Sequence, residues 1–471
     1  MPRPILLLLL IALLQDAADA QTAAPPASPI LHPQSQILNP ASSSGILEQY
    51  IRIGLDSNLA IHQQSFDLQK ADLDLRRARS LFYPSAGFSY QYTLANGGRS
   101  ISIPIGDLLN NVYSSLNQLT NSNKFPQVAN QSVDFLPNNF QDTKMEITLP
   151  ILNTDLIHNR EVSAEMIHSR KADLDIYRRD LVKNIRQAYY QYLQAGKAVE
   201  IYENALSLTQ ANKRVSEKFV ENNMATREII LRAQAQVSQV ESDLIGAKNN
   251  LRNATAFFNF LLNRPLDAPI QTETEPEEEN AFTLQPAIEM PAGREELTKV
   301  KSYQNVLSSN LHWDRNYLVP KLSAFYDIGF QGYGVHFDNS QFYQMGGVSL
   351  VWPLFKANDN KYKIRQAEID MAAIGDQYQD LTKRLTLQVQ TTANDYYSAV
   401  EALKSLTYEV SSAKETYRLT EKRFNEGNGL QIEVIDARTQ LTSAELRYSV
   451  GRLTVLDRAA ELERVTATYK F

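Results

Sequence analysis

The chain has 471 residues, and 47 Lys and Arg residues against 53 Asp and Glu residues give it a net charge of −6 at pH 7. This mildly acidic balance argues against nucleic-acid binding as the main function. The absence of cysteine excludes disulfides, thiolate metal sites, a cysteine nucleophile and a lipid anchor on an N-terminal cysteine. The mean hydropathy is −0.35, and the longest uninterrupted apolar run, residues 5–14, is too short to span a bilayer as a helix. The sequence therefore excludes a polytopic helical membrane protein.

The N-terminus is predicted to be an export signal. Arg3 precedes the apolar run, and Ala18 and Ala20 are small residues at the positions that a signal peptidase reads, so residues 1–20 form the predicted signal peptide. Residues 21–44, rich in Pro, Ser and Ala, are the predicted flexible leader. An exported chain without cysteine fits a bacterial envelope protein.

The rest of the chain is predicted to contain two copies of one helical hairpin. An apolar seam with alternating spacings of four and three residues, as in a coiled coil, occurs twice. The first copy of the seam is Leu181, Ile185, Ala188, Tyr192, Ala195, Val199, Tyr202 and Leu206, and the second is Leu385, Val389, Thr392, Tyr396, Ala399, Leu403, Leu406 and Val410. The predicted long helices are 153–222 and 225–264 in the first repeat, 45–264, and 356–426 and 431–465 in the second repeat, 294–471. At 1.5 Å per residue, the outgoing helices reach on the order of 100 Å.

Two strands are predicted ahead of each outgoing helix, at about 85–94 and 142–152 and at about 320–331 and 342–354. In these runs apolar and polar residues alternate, as at Phe88, Tyr90 and Tyr92, and each run has about ten residues, which is typical of transmembrane β-strands. Soluble hairpins packed on a core are the alternative interpretation.

Proline and aromatic residues favour the membrane interpretation. Prolines, which stop one element and begin another, are expected at all four helix–strand junctions. These are Pro84, Pro150, Pro320 and Pro353. Tyr83, Tyr317 and Trp352 lie beside three of them, as in the aromatic belt of a membrane protein.

Four strands cannot close a barrel, and an open sheet edge is not tolerated in lipid. The membrane interpretation therefore requires oligomerisation. A cyclic trimer would supply 12 strands, a suitable number for a β-barrel with an open bore, and the helical hairpins would continue it as an α-helical barrel. Glu146, Asp327 and Gln331 are predicted to face the water-filled bore. The connections 95–139 and 332–341 are predicted to be loops on the far side of the membrane.

Residues 265–293 are predicted to be an acidic, proline-rich linker between the two repeats. No catalytic motif is present. The six histidines are scattered without helical pairs or nearby acids, so the sequence suggests no metal site and no cofactor. An enzyme is therefore not expected, and a periplasmic coiled-coil scaffold or adaptor without transmembrane strands is the competing hypothesis.

The repeats, the strand–helix order and one turn motif resemble the TolC-like outer membrane efflux proteins. The motif is Arg-Phe-Asn-Glu-Gly at 423–427 followed by Glu433 and Ala437. Its first-repeat counterpart, with Phe219, Glu228 and Ala233, departs from the pattern, because Asn222 and Asn223 replace the glycine and the alanine arrives one residue late. The resemblance implies a trimeric duct of the outer membrane and periplasm, serving a tripartite efflux pump or type I secretion.

The resemblance also implies functional residues at the helix tips. Glu433 and Asp436, with Glu228, would form an acidic ring at the aperture that favours cations. The tips expected to contact a periplasmic adaptor protein, and through it an inner-membrane pump, are Asn222, Asn223, Met224, Gly427, Asn428, Gly429 and Leu430. Some relatives hold the aperture with a tyrosine and an arginine, whereas this chain has Phe424 and Gly429 at those positions.

Overall fold

The computed structural model describes residues 45–272 and 293–471. The predicted signal peptide 1–20, the leader 21–44 and most of the linker 265–293 lie outside the described residues. Residues Tyr50–Phe471 form one compact unit, and residues 45–49 are the described part of the segment before it.

The described elements follow one another in an order that repeats helix, strand pair and long helical hairpin. They are α1 (Ile46–Ser57), α2 (Leu59–Ser80), β1 (Ser85–Thr93), β2 (Ser100–Ile103), α3 (Ile105–Thr120), β3 (Gln131–Asp134), β4 (Phe140–Leu152), α4 (Thr154–Glu221), α5 (Glu228–Leu261), α6 (Glu295–Arg315), β5 (Lys321–Tyr333), β6 (Phe342–Val351), α7 (Asp359–Asn425) and α8 (Gln431–Thr466). The fold is mainly helical with a small β portion, as the sequence predicts. None of the described helices combines the length and apolarity needed to cross a bilayer.

Strands from both repeats form one antiparallel sheet in the order β1-β4-β5-β6. Side chains alternate between faces, so cross-strand partners share a face. The apolar face carries Phe88 opposite Met145 and Val348 opposite Ala324, and Phe88 and Val348 are 74% and 64% exposed. Within the described chain, β1 and β6 each pair on one side only. The sheet therefore has an exposed apolar face and two free edges.

The connection between β1 and β4 differs from the predicted loop, because it contains β2, α3 and β3. Asparagine side chains hold this subdomain, which consists of β2, α3 and β3, together. Asn110 both donates to and accepts from the backbone of Val128, at 3.0 and 2.8 Å. Asn117 does the same with Phe125, at 2.7 and 3.1 Å. The helical signal, apolar residues spaced three and four apart, is present in α3 but short.

Three of the four junction prolines lie outside the strands. Pro84 and Pro320 directly precede β1 and β5, and Pro353 follows the end of β6. The predicted junction position of Pro150 is wrong, because Pro150 lies inside β4. The register of β4 with β5 shifts between Pro150 and Leu152. Proline cannot donate to a strand ladder, so a bulge is a position at which a paired strand accepts it.

The long helices pair within each repeat, α4 with α5 and α7 with α8. The predicted seams are buried where the helices meet: Ile185 and Val389 are fully buried and Tyr396 is 1% exposed. Gly451 in α8 permits close packing, because a Cβ atom there would lie 2.5 Å from Leu406 Cδ1 of α7. α4 also packs against α2, α6 and α8, so it joins the two repeats.

An ion-pair network fixes α6 and α8 to α4. Arg294 is 1% exposed, donates to Glu296 at 2.6 Å and donates to the carbonyl of Val465 at 2.7 Å. Arg464 donates to Asp180 of α4 at 2.8 Å. Burial acts to raise the pKa of Glu296, but hydrogen bonds from Arg294 and its own backbone N–H outweigh it and hold the pKa below its usual value. Ionised Glu296 therefore stabilises the fold above the pKa of the unfolded chain, and this stabilisation is lost as the pH falls.

At the end of the hairpins away from the sheet, buried contacts join the two repeats. The rings of Phe219 and Phe424 pack edge to face with centroids 5.3 Å apart. The amide nitrogen of Gln431 donates to Ser216 Oγ at 2.6 Å and to the Ile229 carbonyl at 3.1 Å. Gln431 is 6% exposed and Ser216 fully buried, so this amide holds the start of α8 against α4 and α5.

Replacing Gln431 with Ala is therefore expected to loosen the paired tips. The change leaves the buried Ser216 hydroxyl and Ile229 carbonyl without this donor, at a cost of about 1–3 kcal/mol. Hydrogen exchange of backbone amides at the start of α8 is expected to accelerate by about tenfold. Gln440→Ala is the matched control, because Gln440 is an exposed glutamine on the same helix. Its side-chain amide donates to Asp436 of that helix. Equal exchange rates in the two variants would show that the Gln431 contacts do not hold the tips together.

Candidate functional site

The predicted tip residues lie in the two turns that join the long helices and at the start of the helices that follow these turns. Both turns end their first helix in the same way, with a left-handed residue after the last helical turn. Asn223 has φ 55° and Gly427 has φ 78°. Met224 N donates to the Phe219 carbonyl at 2.8 Å, and Asn428 N donates to the Arg423 carbonyl at 2.9 Å. Asparagine tolerates this conformation, so Asn223 replaces the glycine of the second turn without changing the turn geometry.

Glu433 and Asp436 lie three residues apart on the exposed face of α8, so their carboxylates project from the same side. One Glu433 oxygen lies 4.0 Å from the Arg423 guanidinium, which is an exposed and loose ion pair. Asp436 accepts a hydrogen bond from Gln440 at 2.9 Å. These contacts leave two carboxylates at the tip of the second hairpin largely open to solvent.

Glu228 occupies a different position in the first hairpin. Ala233 and Ala437 are both buried at corresponding positions in α5 and α8. Glu228 precedes its alanine by one residue more than Glu433 does, and one residue is about 100° of helix rotation. Glu228 also accepts a hydrogen bond from Arg232 at 2.6 Å. The acid of the first repeat is therefore paired with an arginine of its own helix and lies one position further from its alanine than Glu433 does.

The predicted adaptor-contact residues form an exposed surface, except for one glycine. Met224 is 69% exposed and Leu430 is 64% exposed, and the three tip asparagines and Gly427 are exposed as well. Gly429 is half-buried, and a Cβ atom there would lie 3.0 Å from the backbone nitrogen of Phe424. Gly429 therefore shapes the turn rather than presenting a side chain. Ile432, 49% exposed, extends the apolar surface of this tip.

Behind the turns the structure places polar groups that sequence reasoning missed. Phe424 is 4% exposed and has no hydroxyl, but Tyr417, one heptad earlier, donates to Glu421 at 2.6 Å. The Arg438 guanidinium lies over the Tyr417 ring, 5.4 Å from its centroid. Burial, together with the hydrogen bond to Glu421, raises the pKa of Tyr417 well above its ordinary value, so the hydroxyl remains a donor at physiological pH. The signal in the sequence is a tyrosine at a seam position.

The predicted bore-facing residues share the polar face of the sheet. Glu146 of β4 lies directly opposite Asp327 of β5, and Gln331 lies opposite Asp142. Lys144 lies on the same face, two residues from Glu146. The structure therefore collects acidic groups and a lysine on the face opposite to the apolar one. Among the described residues, no cluster of histidine, aspartate and glutamate side chains is arranged to hold a metal ion.

Comparison with known proteins gives a sequence match to one family over part of the chain and structural matches to one fold over most of it. The family model of the outer membrane efflux proteins matches residues 290–468. No curated protein matches the sequence. Among solved structures, CusC, described in a study of transmembrane channel formation, has a TM-score of 0.71 at 16% identity over 92% of this chain and 95% of its own. The outer membrane channel CmeC of Campylobacter jejuni has a TM-score of 0.71 at 12% identity over 89% of this chain and 85% of its own.

A third similar structure is the open state of the MtrE outer membrane channel of Neisseria gonorrhoeae. Its TM-score is 0.66 at 16% identity, over 89% of this chain and 88% of that one. At such identities the structures show a common fold, and the family model identifies the second repeat by its sequence. The sequence of the second repeat therefore matches the outer membrane efflux protein family, and the described chain shares the fold of these channel structures.

Proposed function

We propose that three copies of this chain form an outer membrane channel that continues through the periplasm and serves as the passive exit duct of an efflux pump or type I secretion system. The observation that carries this proposal is the sheet. It has one apolar face exposed to its surroundings, one polar face, and two free edges. A soluble hairpin would bury the apolar face, whereas a closed barrel places it against lipid.

The free edges define how many copies are needed. Backbone groups cannot remain unpaired in lipid, so β6 of one copy must pair with β1 of the next until the sheet closes. Three copies give 12 strands, a number that leaves a water-filled bore. The long helices of each copy would then continue the barrel as a helical duct.

The exposed tips support the partner assignment. A channel that ends in the periplasm needs a protein to connect it to an energy source, and the tips present apolar side chains such as Met224, Leu430 and Ile432 to solvent. We assign this surface to a periplasmic adaptor and, through it, to an inner-membrane pump. The barrel itself would hold the protein in the outer membrane, without a lipid anchor, a cofactor or catalysis.

The competing scaffold hypothesis predicts that the sheet does not enter lipid. Val348 is on the apolar face and Ser349 is its neighbour on the polar face. Val348→Arg is expected to cost about 2–4 kcal/mol per copy if it faces the middle of the bilayer, whereas Ser349→Arg faces water.

We therefore expect purified native protein and Ser349→Arg to form heat-sensitive trimers and to open channels in planar bilayers, and Val348→Arg to lose both properties. Release of the native protein from membranes without detergent, together with equal behaviour of both variants, would favour the scaffold.

The acidic tips are expected to select for cations. Removing two carboxylates per copy with Glu433→Gln and Asp436→Asn is expected to lower the cation-to-anion permeability ratio, because three copies would bring six carboxylates to the narrowest point. Reversal potentials in a salt gradient measure this ratio. Glu228→Gln is the comparison variant, since Glu228 is already paired with Arg232 and its removal is expected to have a smaller effect. An unchanged ratio in the double variant would place the selective ring elsewhere.

The tips are also expected to cross-link to the adaptor. The chain has no cysteine, so single cysteines at Met224 and Asn428 are unique reactive groups. We expect both to form cross-links to the adaptor in whole cells, and a cysteine at Ser115, exposed in α3, to form none. Failure at both tips, with the channel still assembled, would argue against docking at these turns.

A further inference from the structure

A charged group lies on the polar face of the sheet, far along the chain from the tip acids. We name Asp142, Lys144, Glu146 and Asp327 the strand charge group. The ammonium of Lys144 lies 3.5 Å from Glu146 and 3.6 Å from Asp327. Glu146 and Asp327 are direct cross-strand partners. Like charges in such a pair repel each other, and the lysine between them offsets that repulsion.

The members of the strand charge group differ in exposure. Asp327 is 4% exposed, and its Oδ1 atom has no hydrogen-bond partner among the described residues. A buried carboxylate oxygen without a partner is costly, and a cation within reach offsets that cost. The Lys144 ammonium lies 3.6 Å from the other oxygen of Asp327, Oδ2. The side chain of Glu146 is 50% exposed and that of Lys144 is 30% exposed, so the group opens toward the polar side of the sheet.

Glycine leaves room at the centre of the strand charge group. Gly329 is the cross-strand partner of Lys144, and a Cβ atom there would lie 2.1 Å from the carbonyl oxygen of Thr143. Position 329 therefore accepts no side chain, and no side chain from it separates Lys144 from Asp327. On the other side, Tyr343 is the partner of Gly329, and its hydroxyl donates to Asp142 at 3.4 Å. The tyrosine therefore contacts a member of the strand charge group, Asp142.

Three carboxylates and one ammonium leave a net charge of −2 in each copy. We propose that the strand charge group is a second cation-selective element, located inside the β-barrel, and that Lys144 limits its strength. This inference rests on the proposed channel function. In a barrel of three copies the group is repeated around the bore, where rings of carboxylates raise the local concentration of small inorganic cations and lower that of anions.

The test is the reversal potential of single channels in a potassium chloride gradient. Lys144→Gln removes the compensating charge. One unit charge at about 10 Å in water changes the local concentration of each monovalent ion by about twofold, in opposite directions for cations and anions, so the cation-to-anion ratio changes by about fourfold. We expect the cation-to-anion permeability ratio to rise by about that factor. Glu146→Gln and Asp142→Asn change the charge in the opposite direction and are expected to lower the ratio. Lys144→Arg keeps the charge and is expected to leave the ratio unchanged.

Two controls separate this element from the rest of the channel. Lys124→Gln removes the same charge from an exposed loop between β1 and β4. Repeating Lys144→Gln in the Glu433→Gln and Asp436→Asn background tests independence from the tips. Native ratios in both Lys144→Gln and Glu146→Gln, or an equal shift in Lys124→Gln, would overturn the inference. If Lys144→Gln does not assemble into trimers, Glu146→Gln and Asp142→Asn decide. If the native protein opens no channel, the proposed function itself fails.

Discussion

The proposed channel depends on one constraint: every backbone amide and carbonyl of a strand in lipid needs a partner. In this chain the two strands of each repeat cannot meet that demand, and even four strands in one sheet leave β1 and β6 unpaired on one side. The duplication of the hairpin unit provides two strand pairs, and in the proposed channel further copies of the chain would provide the remaining partners. The proposed assembly is thus a consequence of hydrogen bonding rather than of a conventional subunit interface.

The helices follow from the same architecture. Each outgoing strand, β4 and β6, leads into a helix of more than 60 residues, α4 and α7. Small residues such as Ala393 and Ala444 are fully or almost fully buried where neighbouring helices meet, which lets the backbones approach closely. The contacts between repeats, Phe219 with Phe424 and Gln431 with Ser216, lie at the far end of these helices. A tip is therefore held by its neighbouring hairpin, and the turn itself is free to present its side chains.

Periodicity in the sequence was sufficient to predict the fold class. The two copies of the apolar seam, which begin at Leu181 and Leu385, identified the duplication. The alternation of apolar and polar residues around Phe88 identified the strands. Local signals failed where long-range contacts decide the structure. Asparagine side chains hold the subdomain of β2, α3 and β3 together, although a segment rich in asparagine is typical of a loop. Pro150 is accommodated by a bulge, and that bulge depends on the partner strand. The Gln431 contact joins residues 215 positions apart and could not be inferred from either segment alone.

The order of the strands has a consequence for biogenesis. The sheet joins β4 to β5 across the boundary between the repeats, so its central pairing forms only after residues from both halves have been synthesised. In an assembly of three copies, the last pairings are intermolecular. Insertion into the membrane would then depend on the concentration of exported chains. The number of assembled ducts would rise more steeply than in proportion to the rate at which the chain is synthesised.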